Sequence, residues 1–177
     1  MALARTYTTA EVKAAIDLAE GHKFSSFTMV WGGNDSHYQS VEIKDKSGNV
    51  IKTLSKYKPG DEAEKISDDV GHTLRNHVNG HQAQQYVGTK SRYDDLPTCL
   101  GATCEALNSV KGQQSLQLMD GDPSIRDRKI RVDVTGTWYG DSSDGVKKKI
   151  KDVTVIVMRL GTDTLWIHTS YPTGFIT

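Results

Sequence analysis

The chain has 177 residues and a mass of 19.5 kDa, the size of one domain, able to bury roughly 70% of the surface its unfolded form exposes. Hydrophobic residues make up 36% and charged residues 25%, which are globular values and exclude a disordered chain; the longest strongly apolar run, Val153 to Leu160, is far short of the ~20 residues of a membrane-spanning helix. Net charge is zero, with 22 Lys+Arg against 22 Asp+Glu, which excludes a protein that coats nucleic acid through bulk charge.

No basic segment followed by an apolar stretch opens the chain, so no classical secretion signal is read there. Thr8-Thr9, with Glu11 and the apolar positions Val12, Ala15, Ile16 and Ala19, has the cap and spacing of a short amphipathic helix ending near Gly21. Phe24 to Trp31 and Tyr38 to Ile43 read as strands, and the alternating segment Val41 to Leu54 folds back around Ser47-Gly48-Asn49 as a hairpin. Pro59-Gly60-Asp61 then stops the sheet and caps a second helix, with Glu62 and Glu64 in its first turn. A third helix is expected from about Pro97 to Val110, closing near Gly112. Its two cysteines, Cys99 and Cys104, lie about 140° apart on the wheel and read as free thiols rather than a pair.

Beyond that helix, Lys129 to Thr135, Val153 to Leu160 and Leu165 to Tyr171 read as strands, the last two joined by Gly161-Thr-Asp163 as an antiparallel hairpin. Asp120-Gly-Asp-Pro123 reads as a turn and Asp141 to Gly145 as a loop tip. The expectation is a single α+β domain over residues 1–177, with N-terminal helices packed on a twisted antiparallel sheet. Charge is uneven along it: residues 1–60 carry 8 basic and 6 acidic groups, 61–122 carry 5 and 10, and 123–177 carry 9 and 6. The two basic runs, Arg126 to Arg131 and Lys147 to Lys151, have the composition of a solvated strand face or turn.

Chemistry concentrates in His72-Thr-Leu-Arg-Asn-His77-Val-Asn-Gly-His81, which holds three of the six histidines, the side chain suited to proton transfer near neutral pH. On a helical wheel His77 falls in the stripe of Ile66, Val70, Leu74 and Val78, whereas His72 falls on the far side. A core-facing histidine needs a polar partner, so the sheet beneath it should present hydroxyls, carboxylates or a cleft. His77 and His81 have the spacing of two zinc ligands, but nothing completes a metal site: there is no His-Glu-x-x-His and no Cys-x-x-Cys. No P-loop, Gly-x-Gly-x-x-Gly or Gly-x-Ser-x-Gly is present, which removes the common nucleotide-binding and serine-hydrolase classes. No cofactor is expected.

The last strand, Leu165-Trp-Ile-His-Thr-Ser-Tyr-Pro172, offers the counterpart. Strict alternation puts Ile167, Thr169 and Tyr171 on one face and Trp166, His168 and Ser170 on the other, so two hydroxyls point together and could hold a phosphate.

Gly71-His72-Thr-Leu-Arg-Asn-His77-Val, then Ser91-Arg-Tyr-Asp-Asp-Leu96 before a Thr/Ala-rich helix, then Trp166-Ile-His-Thr-Ser-Tyr-Pro172, resembles the ribonuclease toxin domains of bacterial contact-dependent inhibition systems, in their pancreatic-ribonuclease-like branch. The likeness spans about residues 70–172, within a ribonuclease-like core at 61–177; residues 1–60, the N-terminal helix and hairpin region, add nothing to it. The resemblance implies an RNase A-like α+β fold without disulfides, acting on RNA, with tRNA as the substrate class, through metal-independent transphosphorylation that leaves a 2′,3′-cyclic phosphate. It implies delivery into the cytoplasm of a competing cell and neutralisation by a cognate immunity protein.

Carried over by position, the family's helix histidine is His77 and its strand pair is Thr169 and Tyr171; His72 is counted with them as a further catalytic candidate. The family's arginine has no counterpart in Asn79 to Thr89, which leaves Lys90, Arg92 or Arg75 as the phosphate-binding cation. The second proton carrier stays open among His72, His81 and Tyr171. A non-catalytic binding domain of the same fold and a ribonuclease of the EndoU type are the alternatives.

Overall fold

The computed structural model describes residues 2–21, 27–31, 38–44, 50–55, 73–80, 90–125, 127–160 and 164–176. Its helices are α1 (Thr9–Gly21), α2 (Thr73–His77), α3 (Leu96–Asn108) and α4 (Val110–Gly121). The strands are β1 (Phe27–Trp31), β2 (Tyr38–Lys44), β3 (Val50–Ser55), β4 (Arg92–Tyr93), β5 (Asp127–Asp133), β6 (Tyr139–Asp141), β7 (Lys147–Leu160) and β8 (Thr164–Ile176). The fold is α+β, as expected, with all sheet pairings antiparallel. Strands β1 to β3 form a three-stranded meander, and β4 to β8 form a second, five-stranded sheet.

The five-stranded sheet is organised by β7. Strand β8 pairs with it from Leu160↔Thr164 to Lys149↔Ile176 and so occupies one edge along nearly its whole length. A strand has two edges, so β5, opposite Asp152 to Met158, and β6, opposite Lys147 to Lys149, must share the other. The basic run Lys147 to Lys151 is therefore the first third of β7 rather than a turn. The turn expected at Gly161 to Asp163 lies outside the described residues, as do Ser47 to Asn49 and Pro59 to Gly71, and with them most of the expected second helix; α2 falls within its expected span.

Helix α1 begins with a capping box: Glu11 N–H donates to Thr8 Oγ1 at 3.2 Å, while Thr8 N–H donates to Glu11 Oε1 at 3.1 Å. Val12, Ala15, Ile16 and Ala19 are buried, and the helix packs on β8. The segment before it is tied down as well, because Leu3 and Ala4 N–H both donate to the Asp120 carboxylate and Asn108 exchanges two hydrogen bonds with the Tyr7 backbone. Leu3, Tyr7, Val12, Ala15 and Ile16 thus belong to the same core as the sheet.

The helix expected from Pro97 is α3, and a further, unexpected helix, α4, follows it directly. Asp95 caps α3, accepting from Thr98 N–H at 2.9 Å with Pro97 in the first turn, but the chain turns at Ser109, whose hydroxyl accepts from Gly112 N–H at 3.0 Å and starts α4. Gly112 does not close a helix; it lies inside the second one. A Cβ at this position would run into the carbonyl oxygens of Ala106 and Leu107, so glycine is what lets α4 fold tightly against the end of α3. The cysteines are free, with Cys99 buried and Cys104 Sγ donating to Tyr7 O at 3.1 Å.

Glu105 on α3 clamps the segment between β5 and β6. It accepts from Thr135 N–H, from Gly136 N–H at 2.9 Å and from the Trp138 indole at 3.1 Å. Burial pushes its carboxyl up, but these donors outweigh burial and hold it below the usual carboxylate range.

Two predictions follow from these contacts. Alanine is the better helix former by about 1 kcal/mol, yet overpacking against backbone costs about 1–3 kcal/mol, so Gly112→Ala should lower stability in denaturant titration. A carboxyl with a depressed native pKa stabilises the fold above its unfolded value and loses that contribution as pH falls through the native one. The Glu105 contribution is therefore complete above the ordinary carboxylate range and is lost progressively as pH falls through that range to the depressed native value. Melting temperatures from pH 6 to 3 should fall more steeply for the parent than for Glu105→Ala; parallel curves would show that the clamp adds no pH-dependent stability.

Candidate active site

Strand β8 is not a regular strand where the chemistry lies. Thr169 pairs with Ile156 and Ile167 with Val157, so His168 is an extra residue facing no partner of its own. This bulge resets the alternation. Ile167 turns fully into the core and Ser170 is buried beside it, while His168, Thr169 and Tyr171 line one cavity. The expectation that Ile167 shares a face with Thr169 and Tyr171, and that His168 faces away from them, is thus corrected by a one-residue shift of phase.

Ser170 anchors the strand between the two hydroxyl residues. Its N–H donates to Thr73 Oγ1 at 3.0 Å, and its own hydroxyl meets Tyr93 OH at 2.8 Å and Thr103 Oγ1 at 2.7 Å, all buried. One residue therefore ties β8 to α2, to β4 and to α3. Burial, with a smaller push from Cys99, raises the Tyr93 phenol far above its ordinary value and so favours its neutral, hydrogen-bonding form. A further bond from Ser91 Oγ to Pro172 O, 2.6 Å, brings the residues before β4 against the far side of β8.

Helix α2 ends at His77. Val78 leaves the helix for a parallel bridge with Tyr93, Asn79 N–H donates to Tyr93 O at 3.1 Å, and Gly80 takes a φ of 83°, a backbone turn that other residues resist. The inward orientation read from the wheel is kept for His77, which is 6% exposed, although Val78 is buried by the bridge and not as a helix residue. His77 Nδ1 lies 2.8 Å from Ser91 O. A carbonyl can only accept, so Nδ1 carries the proton and Nε2 holds the basic lone pair of the neutral ring. The imidazole is stacked on Tyr171, with centroids 4.9 Å apart and planes 25° from parallel, which fixes its plane.

The cavity so formed has a volume of about 480 Å³, with His77, Lys90 and Ser91 on one side and Ile156, His168, Thr169 and Tyr171 on the other. Of the residues expected from sequence, His77, Lys90, Thr169 and Tyr171 come together from segments up to 94 positions apart. Arg92 is not among the lining residues: it is 4% exposed, and neither terminal guanidinium nitrogen has a hydrogen-bond partner among the described residues. His72, His81 and the Arg75 side chain lie outside what the structure describes. His168 is the residue that sequence reasoning missed. Its signal was indirect, since regular alternation would have set apolar Ile167 beside two hydroxyls, and a one-residue slip sorts polar from apolar better.

Thr169 is 2% exposed and its hydroxyl has no hydrogen-bond partner among the described residues, an unusual condition for a buried donor. It sits in the cavity with two imidazoles, a lysine and a phenol. Such a set can move two protons and hold one anionic group, the requirements of transfer at a phosphodiester.

The chain matches no family model and no curated protein. Among solved structures, a chain of the CdiA-CT/CdiI complex from Y. kristensenii 33638 is similar over 59% of this chain and 100% of that one, at 21% identity and a TM-score of 0.44.

Proposed function

We propose that this chain is a toxin-type endoribonuclease that cleaves RNA, with tRNA as the substrate class, by metal-independent attack of a 2′-hydroxyl on the adjacent phosphorus. The observation that carries the reading is the convergence, in one cavity, of two histidines and a buried threonine hydroxyl that lacks a described partner. The order of the sequence motifs around His77, Ser91 to Leu96 and Thr169 to Pro172 supports it independently.

In this reading His77 Nε2 takes the 2′-hydroxyl proton, because the Ser91 carbonyl holds the other nitrogen protonated. The 2′-oxygen bonds to phosphorus, the bond from phosphorus to the 5′-oxygen breaks, and protonated His168 gives its proton to that oxygen. The products are a 2′,3′-cyclic phosphate and a 5′-hydroxyl. Thr169 Oγ1 donates to a phosphoryl oxygen, Lys90 balances the charge that develops there, and Tyr171 keeps the His77 ring in plane. The same reading makes residues 1–177 one delivered domain that acts in the cytoplasm of a target cell, with a cognate immunity protein as its partner.

Total tRNA incubated with purified protein and EDTA should be cut, and intact RNA with folded protein would refute the reading. Among variants that melt like the parent, His77→Ala and His168→Ala should each slow cleavage by roughly 10²- to 10⁴-fold, and Thr169→Ala by roughly 10²- to 10³-fold. The parent's kcat/KM should show a bell-shaped pH profile, its acid limb set by the base and its alkaline limb by the acid.

The two histidines are separated by a uridine 3′-aryl phosphate, whose phenolate departs without a proton. His168→Ala should recover most of its activity on this ester, whereas His77→Ala should stay impaired. The reverse pattern would exchange the two roles.

A further inference from the structure

The basic run around Arg131 gains a meaning from strand register. Lys129 stands opposite Ile156 on β7, and Ile156 opposite Thr169 on β8; two residues along, Arg131 stands opposite Thr154 and Thr154 opposite Tyr171. Directly paired residues share a face of the sheet. The alternate residues Ile130, Val132, Val153 and Val155 fill the core, which puts Lys129 and Arg131 on the cavity face. Both are exposed. Asp152 Oδ1 accepts from Arg131 Nε at 3.0 Å, which orients the guanidinium yet leaves the side chain 59% exposed.

Two strand spacings separate β5 from β8, about 10 Å. Lys129 and Arg131 are thus set away from the phosphate that Thr169 would hold, in line with the next part of a bound strand. A chain of zero net charge has no bulk attraction for RNA, so its affinity must come from local cations placed along the strand's path.

We propose that Lys129 and Arg131 form a track for the phosphates flanking the scissile one, and that the stretch of substrate bound there is single-stranded, as in a loop of a folded RNA, running from the cavity over β7 to β5. This rests on the ribonuclease reading above. A duplex does not fit it, because the cavity between His77 and His168 must receive one nucleotide withdrawn from base stacking.

The test is fluorescence anisotropy with a 2′-O-methyl hexanucleotide and the matching dinucleotide, titrated with salt, for the parent, Lys129→Gln and Arg131→Gln. Each substitution should reduce the steepness of log affinity against log salt for the hexanucleotide by about 0.7, the value of one single-strand phosphate contact, and should change the dinucleotide far less. Unchanged hexanucleotide slopes would overturn the track and leave the row to another ligand class, such as an acidic protein. Equal losses on both probes would overturn it too, since the cations would then act at the scissile phosphate. The Lys129 side chain is exposed and makes no hydrogen bond or ion pair among the described residues, so it decides the matter if Arg131→Gln fails to fold. The probes cannot react, so binding is judged apart from cleavage: a parent that binds with the expected slopes but leaves 2′-hydroxyl RNA uncut would refute the catalytic reading and keep the track.

Discussion

The cavity depends on one buried serine. Ser170 has no role at the cavity surface, but its backbone and hydroxyl meet Thr73, Tyr93 and Thr103, and through them three elements that lie 67 to 97 positions before it in the sequence. Each such bond adds only about 1 kcal/mol net, yet leaving any of these buried groups unmatched would cost about 1–3 kcal/mol, so the set acts as a lock on register more than as a source of stability. With Ser170 fixed inward, Thr169 and Tyr171 must face outward on either side of it. Thr73 lies one helical turn before His77, so the same lock places the histidine over the hydroxyls.

The bulge at His168 completes the arrangement. An extra residue in one strand of an antiparallel pair re-aims its neighbours, and here it moves Ile167 into the core and brings an imidazole to the cavity. The long hairpin of β7 and β8 tolerates the disruption because pairing resumes on both sides, from Leu160↔Thr164 to Thr154↔Tyr171. A shorter hairpin would lack the pairs needed to hold a distorted centre.

Much of this was legible in the residues. The α+β class, the limits of α1, the hairpin of the last two strands and the inward side of His77 all followed from period and capping, because each is set by contacts within a few positions. What failed was set by contacts that hydrophobic period does not encode, some of them local and some distant. Ser109 looked like a residue inside one helix until its hydroxyl was seen to cap another, and Gly112 looked like a stop until the carbonyls of Ala106 and Leu107 explained the missing side chain. Strand β6 is three residues long and exists only because β7 offers an edge to it. The bulge carries no glycine to announce it, and Arg92, expected as a phosphate-binding cation, is buried by its place in β4.

The reaction proposed for the cavity is attack by the neighbouring 2′-hydroxyl, with the chain's own side chains moving the protons. Phosphorus NMR of the initial products of an RNA oligonucleotide tests it most directly. The account predicts a 2′,3′-cyclic phosphate as the first product and no reaction when the residue before the scissile bond is 2′-deoxy. Products ending in a 5′-phosphate, or cleavage of the 2′-deoxy strand at a comparable rate, would contradict it.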